Sequence, residues 1–231
     1  MGKQVVMFDV DGTLVDSNDA HARAWMAAFA AERIAVDYGA VRRAIGMGGD
    51  KLMPAVADLD SESPVGKRLS AHRAAAFADR ELPNIVPFPH VRALALRLVE
   101  DGFVLAIASS AKEDELRPLV ERAGIGDLLV AQSSGDDADA SKPDPDIVRA
   151  ALTRAEVAPG DAIMVGDTPY DVQAAQRAGV RIVAFTCGGW SAADLRGAVA
   201  VYADPADLLA RYDASPFARA ADRRSADVAT F

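Results

Sequence analysis

A single cysteine, Cys187, occurs in 231 residues, so no disulfide can close within one chain and a reducing compartment is the simplest setting. No Cys/His spacing resembles a zinc site. No apolar run reaches the ~18 residues that a membrane span needs. Basic residues are in the minority: 25 Lys and Arg stand against 34 Asp and Glu, for a net charge of −9. A surface of that sign argues against nucleic acid or an anionic membrane as partner. The chain enters an apolar stretch soon after Lys3 with no small-residue cleavage site behind it. No secretory leader is therefore read, and the cytoplasm is the expected location.

What is present is an ordinary globular composition, 51% hydrophobic and 26% charged. The length suffices for one large core, or a core with a modest insertion. The chain is organised around VVMFDVDGTLVDS, residues 5–17. Val5-Val6-Met7-Phe8 is a continuous apolar run, as expected of a strand covered on both faces in a parallel sheet. Ligands of such sheets bind at the carboxyl ends of the strands, where Asp9 and Asp11 follow. Side chains two apart in extended chain point the same way, so both carboxylates can face one pocket. Two such charges need a cation or a shared proton, which implies a metal or proton transfer. Gly12 permits a sharp turn and Thr13 offers a hydroxyl beyond it. Asp, Asp, Gly and Thr at these spacings match by chance in only ~1 in 1,000 chains of this length.

Beyond Ser17 the period becomes helical. Asn18 or Ser17 can cap a helix running to about Glu32, with Trp25, Met26 and Phe29 on one side. Asp37 opens another, Gly46-Met47-Gly48-Gly49 breaks it, and helices follow at about 50–58 and 65–81. No strand is expected before Pro87, so about seventy residues form an all-helical insertion. Apolar strands then alternate with helices: strands at 103–108, 128–131, 162–165, 180–185 and, weakly, 199–202; helices at 91–101, 112–123, 144–155, 169–178 and 205–212. This rhythm predicts an α/β, doubly wound parallel sheet. The expected division is a core of residues 1–15 and 88–213, a helical cap of 16–87, and a mobile tail of 214–231.

Three later stretches carry chemistry-bearing residues. Ser109-Ser110 closes the second apolar strand, and Ser110 can cap the helix after it. Lys142 lies in SKPDPD before a helix, where Pro143 and Pro145 restrict the loop. Gly166-Asp167-Thr168-Pro169-Tyr170-Asp171 follows an apolar strand, with Asp171 about one helical turn beyond Asp167. Asp171 can also compensate the dipole of its own helix.

DxDGT at Asp9, Ser109 at a strand end, the KPxP stretch at Lys142 and GDxxxD at Asp167 resemble, in order, the four motifs of the haloacid dehalogenase (HAD) superfamily. The resemblance spans roughly residues 3–213. It implies that Asp9 is the nucleophile, forming an aspartyl-phosphate, and Asp11 the general acid/base. Ser109 and Lys142 would hold and neutralise the transferring phosphoryl group. Mg2+ would be ligated by Asp9, the backbone carbonyl of Asp11, and Asp167, with Asp171 orienting a ligand, a water or Lys142. Asp11 argues against carbon–halogen chemistry, because the superfamily's dehalogenases lack it. His21-Ala22-Arg23-Ala24-Trp25 resembles the HxRAW stretch of β-phosphoglucomutase-like members, where the His couples cap closure to catalysis. Against a mutase, Gly46 to Asp50 carries glycine where those enzymes have a phosphate-gripping arginine; Arg42, Arg43 or Lys51 could replace it only after a shift.

The expected activity is hydrolysis of a small phosphorylated metabolite, of the phosphoglycolate phosphatase type. A sugar phosphomutase and a non-catalytic binding protein are the alternatives. Thr13, His21, Ser110 and Arg73 are candidates for substrate or cap contacts. The oligomeric state stays open between monomer and homodimer.

Overall fold

The computed structural model describes residues 3–218. Its sheet is built from β1 (Val5–Phe8), β2 (Val104–Ala108), β3 (Leu129–Ser133), β4 (Ala162–Gly166), β5 (Arg181–Phe185) and β6 (Ala200–Tyr202). All neighbours are parallel, in the order β3-β2-β1-β4-β5-β6. β1 is therefore central, flanked by β2 on one side and β4 on the other. The chain order reverses direction at β1, and the crevice outside its carboxyl end is where ligands bind in such sheets.

The apolar runs are two-sided, as a sheet sandwiched by helices requires. Val6, Phe8, Leu105, Ile107, Ile163, Val165, Val183 and Phe185 pack on one face, with residues of α5 (Val91–Glu100), α6 (Glu113–Ala123) and α9 (Pro205–Ala210). Their sequence neighbours Val5, Met7, Ala106, Ala108, Met164, Ile182 and Ala184 pack on the other, against α7 (Asp146–Arg154) and α8 (Pro169–Arg177). Register carries the two sides to one rim. Phe8 is level with Ile107 and with Val165, and the Asp9 amide donates to the Val165 carbonyl at 2.8 Å.

Between β1 and β2 lie α1 (Asn18–Ala31), α2 (Tyr38–Ala44), α3 (Gly49–Ala57) and α4 (Pro64–Ala76), the last continued by a wider π-helical turn, Phe77–Glu81. They share a separate apolar cluster including Trp25, Phe29, Val41, Leu52, Met53 and Leu69. The two connections to the core run side by side: Val15 bridges Pro87 in antiparallel fashion, the Asp16 amide donates to the Val86 carbonyl at 3.0 Å, and that of Phe88 to the Leu14 carbonyl at 3.0 Å.

The ordered fold continues past its expected end at 213. Ser215 and Phe217 are buried, and the Phe217 ring meets Phe103 edge-on at 5.9 Å and stacks on Tyr212 at 6.4 Å. An isolated Phe217 in an Ala- and Arg-rich stretch gives no period to read, yet burying it compensates for ordering the backbone that carries it. Residues 219–231 of the expected mobile tail lie outside the described residues.

Candidate active site

Three strand ends and one loop deliver the site. Asp9 follows β1, Ser109 follows β2, Asp167 follows β4, and Lys142 comes from the loop before α7. Asp9 is 6% exposed, Lys142 1% and Asp167 0%. The Lys142 ammonium lies 2.5 Å from Asp9 Oδ1 and 2.8 Å from Asp171 Oδ1. Asp171 uses its other oxygen as a helix cap: Oδ2 accepts from the Thr168 amide at 3.0 Å and from the Thr168 hydroxyl at 2.6 Å. Asp171 thus contacts Lys142 with one oxygen and closes a capping box with Thr168 through the other.

Oxygens of Asp9, Asp167 and Asp171 fall within 4.8 Å of one another. Burial, reinforced by Asp171 and Asp11 and opposed by Lys142, pushes the Asp9 carboxyl up to about 7. Burial, then Asp171 and Asp9, hold the Asp167 carboxyl well above the usual carboxylate range. Burial also works against the Lys142 ammonium, but Asp171 and Asp9 outweigh it and hold its pKa above that of an ordinary lysine. Three buried carboxylates against one ammonium leave two negative charges uncompensated when all are ionised. A hard divalent cation fits this donor set.

Asp11 belongs to a different network. The strand stops at Phe8, and the amides of Thr13, Leu14 and Val15 all turn back to the Val10 carbonyl. That turn, not strand alternation, directs Asp11. Its Oδ1 accepts from the Ser17 hydroxyl at 2.5 Å and meets His21 Nε2 at 2.7 Å. Burial acts to raise the Asp11 carboxyl, but His21 and Ser17 overcome it and hold it below the usual range.

Gly12, at φ 73°, is the turn's pivot. A Cβ there would fall 2.1 Å from Asn18 Nδ2 and 2.4 Å from Asp167 Oδ2, so only glycine fits. Gly188, in the loop after β5, is equally constrained: a Cβ would fall 1.6 Å from Asp167 Oδ2.

Ser17 and Asn18 do not do what their positions predict. Ser17 is the N-cap residue of α1, but neither side chain caps the helix. Ser17 donates to Asp11, and Asn18 Nδ2 donates to Asp167 Oδ2 at 2.9 Å and to the Gly188 carbonyl at 3.0 Å. Two cap-competent residues in a row, where a helix needs one, was the available signal. Thr13 likewise supports a carboxylate, donating to Asp167 Oδ1 at 3.0 Å.

Ser109 is buried at the rim, its hydroxyl oxygen accepting from the Ala111 amide at 3.1 Å. Ser110 does not cap the following helix: Lys112 occupies the N-cap, and the buried Ser110 hydroxyl has no hydrogen-bond partner. His21 stacks on Phe77 at 4.2 Å between ring centroids. Arg73 of α4 reaches His21 Nδ1 with Nη2 at 3.2 Å and grips Glu115 of α6 with both terminal nitrogens. Sequence reasoning missed Ser17 and Asn18 as site residues, and Glu115 altogether.

The cap is seated on the core. Arg42 joins Asp19 to the Gly188 carbonyl, at 2.5 and 2.7 Å. Lys51 pairs with Asp144 at 2.8 Å, and the Ser141 amide donates to Asp50 at 3.3 Å. Among the described residues no helix is long and apolar enough to cross a membrane.

Comparison with known proteins agrees with this geometry. The family model for haloacid dehalogenase-like hydrolases matches residues 6–185. The phosphoglycolate phosphatase of Rhodospirillum rubrum is 33% identical over 216 residues, covering 89% of each chain. That of Pseudomonas putida is 32% identical over 196 residues, covering 80% of this chain and 70% of its own. The crystal structure of a hydrolase from Pseudomonas syringae superposes with a TM-score of 0.84 at 29% identity, over 92% of this chain and 98% of that one. With four motif positions gathered at one rim of the sheet and matches of this extent, the chain belongs to the haloacid dehalogenase-like hydrolase family and stands among its phosphatases.

Proposed function

We propose that this protein hydrolyses a small phosphate monoester in two steps through a phosphoryl group carried on Asp9. The observation that carries the reading is the buried Asp9 carboxylate held at 2.5 Å by an equally buried Lys142, beside two further carboxylates. An anionic nucleophile can be kept there only if its charge and that of the incoming phosphoryl group are offset.

In the first step an oxygen of Asp9 attacks phosphorus, and the bond from phosphorus to the leaving oxygen breaks. Lys142 contacts Oδ1 at 2.5 Å, whereas Oδ2 has only the longer 3.4 Å approach of the Thr13 hydroxyl, so Oδ2 is the attacking atom. Asp11 delivers a proton to the leaving oxygen, then takes one from the water that attacks the phosphoryl group. Both hydrogen bonds to Asp11 fall on Oδ1, so Oδ2 is the atom that carries the proton. Ser109 and Lys142 hold the phosphoryl oxygens, and Asp171 keeps Lys142 in place. Asp9, the Asp11 carbonyl and Asp167 would hold Mg2+, which keeps the carboxylates ionised and offsets phosphoryl charge.

A small substrate follows from the seated helical cap and an Asp9 that is only 6% exposed. Phosphoglycolate, named for the R. rubrum and P. putida relatives, is the first ester to try. Hydrolysis is favoured over mutase chemistry because Arg42 and Lys51, two of the three possible replacements for a distal phosphate-gripping arginine, are committed to the cap–core seam.

Phosphate release from a panel including phosphoglycolate and hexose phosphates, with and without Mg2+, tests the reading. Mg2+-dependent release that Asp9→Asn abolishes is expected. Interconversion of hexose 1- and 6-phosphates with a bisphosphate primer, without net release, would replace hydrolysis by the mutase reaction. Silence in both would return the chain to a binding role.

A further inference from the structure

Four side chains form a continuous chain of contacts that leaves the core, crosses the cap and returns to the core. Asp11, of the core, meets His21 Nε2 of α1 at 2.7 Å. His21 Nδ1 meets Arg73 Nη2 of α4 at 3.2 Å. Arg73 is held by both oxygens of Glu115, in the first turn of the core helix α6. The ends of this chain of contacts are core carboxylates and its middle is a cap imidazole and guanidinium.

The donors in these contacts are determined by chemistry. A guanidinium only donates, so Nδ1 must present its lone pair to Arg73. The imidazole proton then sits on Nε2 and points at Asp11 Oδ1. Glu115 Oε1 is 3.8 Å from Nδ1, beyond hydrogen-bond reach, so the hydrogen bond that reaches the imidazole from this side is the one with Arg73. The Phe77 ring, stacked on His21, also lies 5.5 Å from the guanidinium carbon, and Trp25 lies 5.7 Å from it. These rings limit sideways movement of both groups but do not select the direction of the Arg73 hydrogens; the two oxygens of Glu115 do.

We propose that Glu115 is a positioning residue for the proton-transfer step: by clamping Arg73 it fixes the Nε2–H tautomer of His21, and so orients the Asp11 carboxylate with Oδ2 towards the leaving oxygen. The proposal rests on the function assigned to Asp11 above. Because Glu115 and Asp11 are core residues and His21 and Arg73 are cap residues, the orientation is complete only with the cap seated. Glu115 is thus a link through which cap closure prepares the acid.

The test separates proton delivery from general damage. An alkyl phosphate needs its leaving oxygen protonated; an aryl ester such as 4-nitrophenyl phosphate has a stable leaving anion and needs it far less. With Mg2+ present, kcat is measured on phosphoglycolate and on 4-nitrophenyl phosphate for the native protein, Glu115→Ala and the isosteric Glu115→Gln. A fall of threefold or more in the alkyl-to-aryl ratio in either folded variant is expected, with about tenfold for Glu115→Ala. A ratio that falls less than threefold in both, whether or not both rates drop, would overturn the proposal. An independent readout requires no turnover: the 15N resonances of His21 should report the Nε2–H tautomer in the native protein and lose that signature in Glu115→Ala. An unchanged tautomer there would equally overturn it. If the native protein hydrolyses neither these two esters nor any other of the panel, the proposed function fails, while the tautomer measurement still decides whether Glu115 positions His21.

Discussion

Asp171 meets Lys142 at 2.8 Å through one carboxylate oxygen and caps its own helix with the other, through the Thr168 amide and hydroxyl. The two jobs are separable by substitution. Asp171→Asn keeps an oxygen for the cap and loses the charge; Asp171→Ala loses both. Thermal unfolding should show Asp171→Ala destabilised by about 1 kcal/mol more than Asp171→Asn, the usual worth of a cap, while turnover falls at least tenfold in both. Full activity in Asp171→Asn would mean that Lys142 does not need the charge.

The burial of Asp9 and Asp167 sets a pH dependence. In the folded protein Asp9 holds its proton up to about pH 7, and Asp167 is shifted the same way; in the unfolded chain both ionise near the usual pH of about 4. The folded state therefore binds more protons across this window, and metal-free stability falls as pH rises through it. A bound divalent cation requires ionised carboxylates, so the stabilisation by Mg2+ should grow from about pH 5 to about pH 8. Thermal shifts measured at both values check this. An Mg2+ shift that is equal at the two would show that these carboxylates do not hold the ion.

Gly188 leaves room for Asp167 by lacking a side chain. Gly188→Ala should displace the Asp167 carboxylate, lowering Mg2+ affinity and turnover at least tenfold in a chain that still unfolds cooperatively. Titration calorimetry with Mg2+ and a melting curve decide it. Unchanged affinity would mean the loop moves aside freely.

Phe217, buried against Phe103 and Tyr212, marks how far the core extends. Phe217→Ala should cost about 3–5 kcal/mol of stability, as truncation of a buried aromatic does, without a selective effect on the site. Chemical denaturation measures it; a loss below about 1 kcal/mol would place the edge of the core before this residue.

The sheet was legible because its strands are covered on both faces and so read as continuous apolar runs, from Val5-Val6-Met7-Phe8 to Ile182-Val183-Ala184-Phe185. Asp9 and Asp167 were legible for a related reason, each standing at a strand end in a short motif of fixed spacing, and Lys142 because its loop is marked by two prolines just before a helix. The Asp11 orientation was not, since a turn rather than strand geometry governs it. Ser17 and Asn18 read as helix caps because capping is the local use of those residues, and their diversion to Asp11 and Asp167 is a tertiary fact. Glu115 stands beside Glu113 and Asp114 in the first turn of α6, where acidic residues are explained by the helix dipole alone. Only the approach of Arg73 from the cap distinguishes it from its neighbours.

Whether Asp9 carries the phosphoryl group is tested most directly by acid-quenched single turnover. With enzyme in excess over a small phosphate ester and Mg2+ present, the reaction is stopped within the first turnover and the peptides are analysed by mass spectrometry. The prediction is one hydroxylamine-labile phosphoryl group on the peptide containing Asp9, absent from Asp9→Asn. Phosphate released at full rate by Asp9→Asn, or a phosphoryl group on another residue, would contradict the account.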